Sequence, residues 1–222
     1  MIPLRDTVPS ATVPVVTYLL IAANVAVTVY QSSLGGAAER FVYTYGLVPR
    51  AFVRHGAVVP LLTSMFLHGN WVHLLGNMLY LHIFGDNVED RLGHLRYVTL
   101  YLLAGLAAGI AQVAMNPTSP LPMVGASGAI AGVTGAYFVF FPRARIVTLV
   151  PIFLFLQVVE IPAVFFLLFW FVFQLLAGVG SLHAADSMGG VAFWAHVGGF
   201  LTGMMLGPVL ARPRQRQIDP AW

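Results

Sequence analysis

Six stretches of the chain, 13–30, 71–84, 95–115, 127–141, 161–177 and 191–210, are built mostly of apolar residues and parted by short polar breaks. A helix rises 1.5 Å per residue, so about 20 residues cross the roughly 30 Å hydrocarbon of a bilayer. Runs near that length, repeated six times, leave few soluble folds open. Composition agrees: 59% of the 222 residues are hydrophobic and 9% are charged, against roughly 25% charged in an ordinary soluble domain. A water-facing fold of this size could not cover so much apolar surface in one core. The chain therefore reads as an all-α membrane protein with a bundle of six transmembrane helices. No internal repeat or low-complexity tract divides it, so 1–222 reads as a single transmembrane domain with short tails.

The breaks carry the topology. The apolar run 146–177 is too long for one straight helix and contains Pro151 and Pro162. Proline is tolerated in a first helical turn and breaks an interior. The fifth span is thus expected to start near 160–162, with Glu160 at the positive end of its dipole and 146–157 as an interfacial connector. All eleven basic residues are arginine. Arg5, Arg91, Arg96, Arg143, Arg145, Arg212, Arg214 and Arg216 fall on one side, while 116–126 and 178–190 contain none. By the positive-inside rule both termini are cytoplasmic. This pattern points to the lipid bilayer as a partner and away from nucleic acid. The long first loop, 31–66, places Arg40, Arg50 and Arg54 on the outer side and is expected to lie partly in the outer leaflet. A single Arg5 before the first run, with no small-residue cleavage site, reads as a retained span. The chain has no cysteine, hence no disulfide, thiol chemistry or thiolate metal site.

One serine stands out against this background. In "PMVGASGAIAGVTGAYFVFFPRAR", Ser127 opens a run of fifteen residues that ends at Pro142, Arg143 and Arg145. Fifteen residues make about 22 Å of helix, short of the roughly 30 Å hydrocarbon. Ser127 should therefore lie below the outer face, and the loop before it must dip into the membrane. Irregular backbone does that only where protein or a watered cavity surrounds it. A helix N-terminus there offers free N–H groups that could stabilise an oxyanion. Gly128, Gly132 and Ala136 also form a small-residue stripe, and such stripes serve helix packing.

Two more stretches bear on the choice. In "FWAHVGGFLTGMMLG", His196, Gly199, Gly203 and Gly207 are spaced 3, 4 and 4 and share one helix face. The natural partner of that face is the Gly128/Gly132 stripe, which would bring His196 beside Ser127. In "FLHGNWVHLLGNMLYLH", His73 and Asn77 are four apart and point one way, while His82 points to the other side. His68, ahead of the helix, is given a structural role holding the loop. A nucleophile, a base and side-chain donors are the parts that acyl transfer needs.

These residues resemble the rhomboid intramembrane serine proteases. The carriers of the resemblance are Gly125-Ala126-Ser127-Gly128 at the start of the fourth span and Ala195-His196-Val197-Gly198-Gly199 in the sixth. His68, His73 and Asn77 in the second span, with Glu89 and Gly93 after it, complete the pattern. The resemblance covers nearly the whole chain in order and topology. It implies a rhomboid-like bundle of six helices with a long membrane-associated first loop, of bacterial type, in an inner (plasma) membrane. It implies Ser127 as nucleophile and His196 as general base, a dyad with no carboxylate. It also implies an oxyanion hole of His73, Asn77 and the Ser127 N–H. The fifth helix and 178–190 would gate and cap the site. The substrates implied are single-span transmembrane proteins, cut within or next to the outer part of their helix. Two positions depart from the family: Val59-Pro60 stand where many members carry Trp-Arg. Ala131 stands where some carry a tyrosine stacked on the histidine.

Other classes meet specific obstacles. No His-Glu-x-x-His occurs on a span, and Asp86 and Asp186 are not paired deep in spans as an aspartyl membrane protease needs. Neither paired broken helices nor an inverted repeat suggests a transporter. No metal site and no organic cofactor is expected. The remaining alternative is a catalytically silent relative that binds helices without cutting them.

Overall fold

The structure, a computed structural model, describes residues 1–152, 155–181 and 191–211. In chain order these form β1 (Ile2–Asp6), α1 (Val15–Ser33), α2 (Ala38–Tyr45), α3 (Pro49–His55), α4 (Val59–Thr63), α5 (Trp71–Leu92), α6 (His94–Met115) and α7 (Ser127–Phe140). They continue as β2 (Arg145–Ile152), β3 (Phe155–Pro162), α8 (Ala163–Ser181) and α9 (Phe193–Leu210). Each apolar run of the sequence is a helix. Four of them, α1, α6, α8 and α9, are long and apolar enough to cross a membrane. The helix α7 is apolar but shorter, and α5 ends in a turn carrying Asp86, Glu89, Asp90 and Arg91.

Lipid as solvent shows in which faces are buried. On α1 the buried residues are Thr17, Asn24, Thr28 and Gln31, while Leu19, Val25, Val29 and Tyr30 face outward. A soluble helix does the reverse. In hydrocarbon, polar side chains must find partners inside the protein, so the polar stripe turns inward. The partners are specific. The Glu89 carboxylate is fully buried and accepts from the N–H groups of Val16 and Thr17 and from the Thr17 hydroxyl, at 2.8–2.9 Å. The His94 Nδ1 lies 2.6 Å from the same carboxylate. Glu89 thus caps the start of α1 and ties it to the α5–α6 turn.

The centre of the bundle is α7, buried continuously from Gly128 to Tyr137. It can be central because its faces are small. A Cβ built on Gly199 or Gly203 of α9 would overlap the Gly128 or Gly132 carbonyl, and one on Gly128 or Gly132 would meet Ala108 or Ala104 of α6. Backbone lies on backbone along this seam, the close approach that small-residue stripes permit in membranes. The pairing of the Gly128/Gly132 face with the His196/Gly199/Gly203/Gly207 face is as the spacing predicts.

Two expectations need correction. The chain is mostly helical but not all-α: β1, β2 and β3 form an antiparallel sheet in that order. In the stretch 146–157, expected as an interfacial connector, the described residues 146–152 and 155–157 lie in the antiparallel strands β2 and β3. Pro151 and Pro162 rule out a helix here, and the β-branched Ile146, Val147, Thr148, Val150, Val158, Val159 and Ile161 suit a pleated strand. Glu160 consequently sits in β3 and not at a helix N-terminus; its carboxylate pairs with Arg145 at 3.1 Å across the hairpin. β1 pairs with β2 in the register Ile2↔Leu149 and Asp6↔Ile146. That pairing sets Arg5 and the Arg143/Arg145 end of α7 on the same side of the bundle.

The long first loop folds into α2, α3 and α4 and packs across the opposite end. Leu47, fully buried, exchanges two backbone hydrogen bonds with Met123, at 2.8 and 3.0 Å.

Candidate active site

The loop before α7 is pinned from above, which is what allows irregular backbone to enter the bundle. Besides the Leu47–Met123 pair, the Gly125 N–H donates to the Ser64 carbonyl at 2.9 Å. Gly125 has φ +128°, a conformation that side chains rarely tolerate. A Cβ there would also lie 2.7 Å from His73 Cε1 and 3.5 Å from Asn77 Nδ2. The Gly125 backbone therefore rests directly against His73 and Asn77 of α5. Ser127 follows as the first residue of α7, whose 14 residues make about 21 Å of helix, and the N–H groups of its first turn have no partner within the helix.

His196 comes from α9, three residues into the helix and on the glycine face. Its Nε2 lies 2.8 Å from Ser127 Oγ. Its Nδ1 lies 2.7 Å from Oε1 of Gln174 on α8. The Trp170 ring, one turn earlier on α8, lies against the imidazole with centroids 5.7 Å apart and planes inclined by 38°. The Ala195 N–H donates to Gln112 Oε1 of α6 at 3.3 Å, which holds the first turn of α9 in place.

His73, Asn77, Ser127 and His196 line one cleft of about 310 Å³, walled by Val72 and Tyr80 of α5, Ile130 and Thr134 of α7, and Trp170 of α8. Among the described residues no carboxylate or arginine lines it. Asn77 is buried, and its Nδ2 has no hydrogen-bond partner among the described residues. A buried donor left unpaired is costly; this one lies beside the Gly125 backbone. His68 does not line the cleft. It is fully buried against α1, with Nδ1 3.1 Å from Thr28 Oγ1, its carbonyl accepting from Gln31 Nε2 at 2.7 Å, and its ring edge-on to His73. His82 is exposed on the far side of α5, beside Tyr18.

Two residues at the site were absent from the sequence reading, Trp170 and Gln174. The signal was there: in α8 they are the only residues able to hydrogen-bond through a side chain before Ser181. The ring that lies against the His196 imidazole is that of Trp170. Most of the expected cap, along with Arg212, Arg214 and Arg216, lies outside the described residues.

Comparison with known proteins matches residues 55–213 to the Rhomboid domain family. The chain is 29% identical to RHOMBOID-like protein 5 of Arabidopsis thaliana over 80% of its length and 52% of the relative's. It is 27% identical to Rhomboid protein 1, mitochondrial, of Saccharomyces cerevisiae over 82% of its length and 51% of the relative's. To Rhomboid protease GluP of Bacillus subtilis it is 35% identical over 55% of its length and 24% of the relative's. The chain thus spans about half, or less, of the length of these relatives.

Proposed function

The chain belongs to the rhomboid family and is a multi-pass integral membrane protein, and from that premise we propose that it is an intramembrane serine endopeptidase. Its substrates are single-span membrane proteins, its six apolar helices α1 and α5–α9 lie in the bilayer with α7 stopping short of one face, and its sheet end with Arg5, Arg143 and Arg145 faces the cytoplasm. The observation that carries the reading is the 2.8 Å approach of His196 Nε2 to Ser127 Oγ, inside the bundle and beside an unpaired Asn77 amide.

The steps follow from the geometry. Ser127 Oγ attacks the scissile carbonyl carbon as His196 Nε2 takes the hydroxyl proton. The carbonyl oxygen becomes an oxyanion and accepts from the Ser127 N–H, Asn77 Nδ2 and the His73 ring. His196 returns the proton to the leaving amine, the C–N bond breaks, and an acyl-enzyme remains. Water, deprotonated by His196, attacks the ester carbon and releases the carboxylate and Ser127. No step calls on a metal or an organic cofactor. A substrate helix reaches Ser127 between α5 and α8, the two helices that flank the cleft.

Incubating the purified protein with a fluorophosphonate probe and a single-span substrate tests this. The expected result is covalent labelling of Ser127 and cleavage, both lost in Ser127→Ala and His196→Ala, with folding retained. Comparable cleavage by Ser127→Ala would overturn the reading. A well-folded wild-type protein that neither labels nor cleaves would favour the silent helix-binding relative instead.

A further inference from the structure

The proton transfer proposed above needs one particular tautomer of His196. Nε2 must face Ser127 with a lone pair, so the ring hydrogen must be on Nδ1. In neutral imidazole either nitrogen can carry it, and a ring with nothing bound to Nδ1 divides its population between the two. In serine hydrolases a carboxylate commonly settles the matter. Among the described residues no carboxylate lines the cleft.

We propose that Gln174 is the positioning residue of this site: its side-chain amide oxygen, 2.7 Å from His196 Nδ1, accepts the Nδ1–H and so aims the Nε2 lone pair at Ser127. The proposal rests on the protease reading for its consequence, though not for its geometry. An amide oxygen only accepts, so facing Nδ1 it selects the Nδ1–H form. It carries no charge, which suits its burial, and it continues to accept from Nδ1–H when the ring becomes imidazolium during acylation. Gln174 and Trp170 are four residues apart on α8 and share a face. One holds the edge of the imidazole and the other its plane, so α8 sets both the rotation and the tautomer of a base that α9 carries. Gln174 touches no reacting atom; it acts through His196.

Two measurements test this. The first reads which ring nitrogen of His196 bears hydrogen, by ¹⁵N NMR of histidine-labelled protein in the Ser127→Ala background, with a His196→Asn spectrum identifying the signal. Because Ser127 is absent, Gln174 is the one hydrogen-bond partner left to the ring among the described residues. Hydrogen on Nδ1 is expected. Hydrogen on Nε2 would overturn the proposal, since the amide would then be presenting its NH₂. The second reads turnover. Gln174→Met, apolar and of similar length, should lower kcat by roughly tenfold to a hundredfold with KM nearly unchanged. Gln174→Glu, which restores an acceptor oxygen, should recover most of it. A folded Gln174→Met protein with wild-type kcat, or a Gln174→Glu protein no better than Gln174→Met, would overturn the positioning role. Wild-type labelling by the fluorophosphonate separates these failures from failure of the protease reading. The tautomer measurement needs neither turnover nor a change at Gln174.

Discussion

Single atoms decide what this cleft can do. Asn77 Nδ2 is a buried donor with no partner among the described residues; in the proposed mechanism it is an oxyanion donor, and removing one such donor typically costs about 10²–10³ in kcat. Asn77→Ala is therefore expected to slow cleavage by about that factor while Ser127 still reacts, more slowly, with a fluorophosphonate. Wild-type turnover in that variant would make Asn77 a packing residue. His73→Ala should be worse, because the ring also packs on His68 and backs the Gly125 turn. Gly125 itself permits no substitution on two counts, its φ and the His73 ring, so Gly125→Ala should reduce labelling of Ser127 even where the protein still folds.

Among the elements, the α7–α9 seam and the β1–α7 junction make opposite kinds of contact. A Cβ on Gly203 would come 2.7 Å from Gly132 Cα and overlap its carbonyl, and backbone cannot step aside. Gly203→Ala should lose about 1–3 kcal/mol or more, the usual cost of overpacking. Gly76→Ala, on α5 with nothing within 4 Å of the added carbon, should instead leave stability level or raise it by up to about 1 kcal/mol. Parallel thermal unfolding in detergent reads both. At the junction, Asp6 of β1 accepts a hydrogen bond from the Tyr137 hydroxyl of α7. Burial, with Asp86 adding to it and that bond opposing it, pushes the Asp6 carboxyl up from 3.8 to about 6. A carboxyl whose folded-state value is raised favours the folded state below its unfolded value, and the advantage fades as pH rises through the folded value. The Tm of wild type relative to Asp6→Asn should accordingly fall between about pH 4 and 6 and level off above that. A flat difference would show that Asp6 titrates as it does in the unfolded chain.

The whole molecule sets where a substrate can be cut. The helix α7 is shorter than α6, 14 residues against 22, and their arginine-rich ends lie together. Ser127 is thereby held below the opposite face, under the loop built by α2, α3 and α4. A substrate helix hides its carbonyls in its own hydrogen bonds, so it must unwind to reach the site, most readily near Gly or Pro. On the proposed function, small side chains are expected at the cut. Mass spectrometry of products from a single-span substrate should place the cut in or just above the outer part of its helix, beside a small residue. Replacing the substrate's Gly and Pro by Leu should suppress it. Cleavage near the cytoplasmic end, or equal cutting of the Leu version, would contradict this geometry.

The six apolar runs and the approach of His196 to Ser127 are legible in the sequence, because both rest on local signals, whereas α2, α3 and α4 of the first loop are not. Length and apolarity mark a span within one window, and a 3, 4, 4 spacing of His196 and three glycines declares which face meets a partner. Only the tertiary structure decided the rest. The residues 146–157 look like any apolar stretch interrupted by proline until β1, over a hundred residues away, supplies the strand that β2 pairs with. The partners of the Glu89 carboxylate come from two other helices, α1 and α6. Before Ser181 the helix α8 is apolar apart from Trp170 and Gln174 on one face, and nothing in its sequence says which neighbour that face meets. Its packing against α9 is what turns Gln174 and Trp170 toward His196 instead of toward lipid.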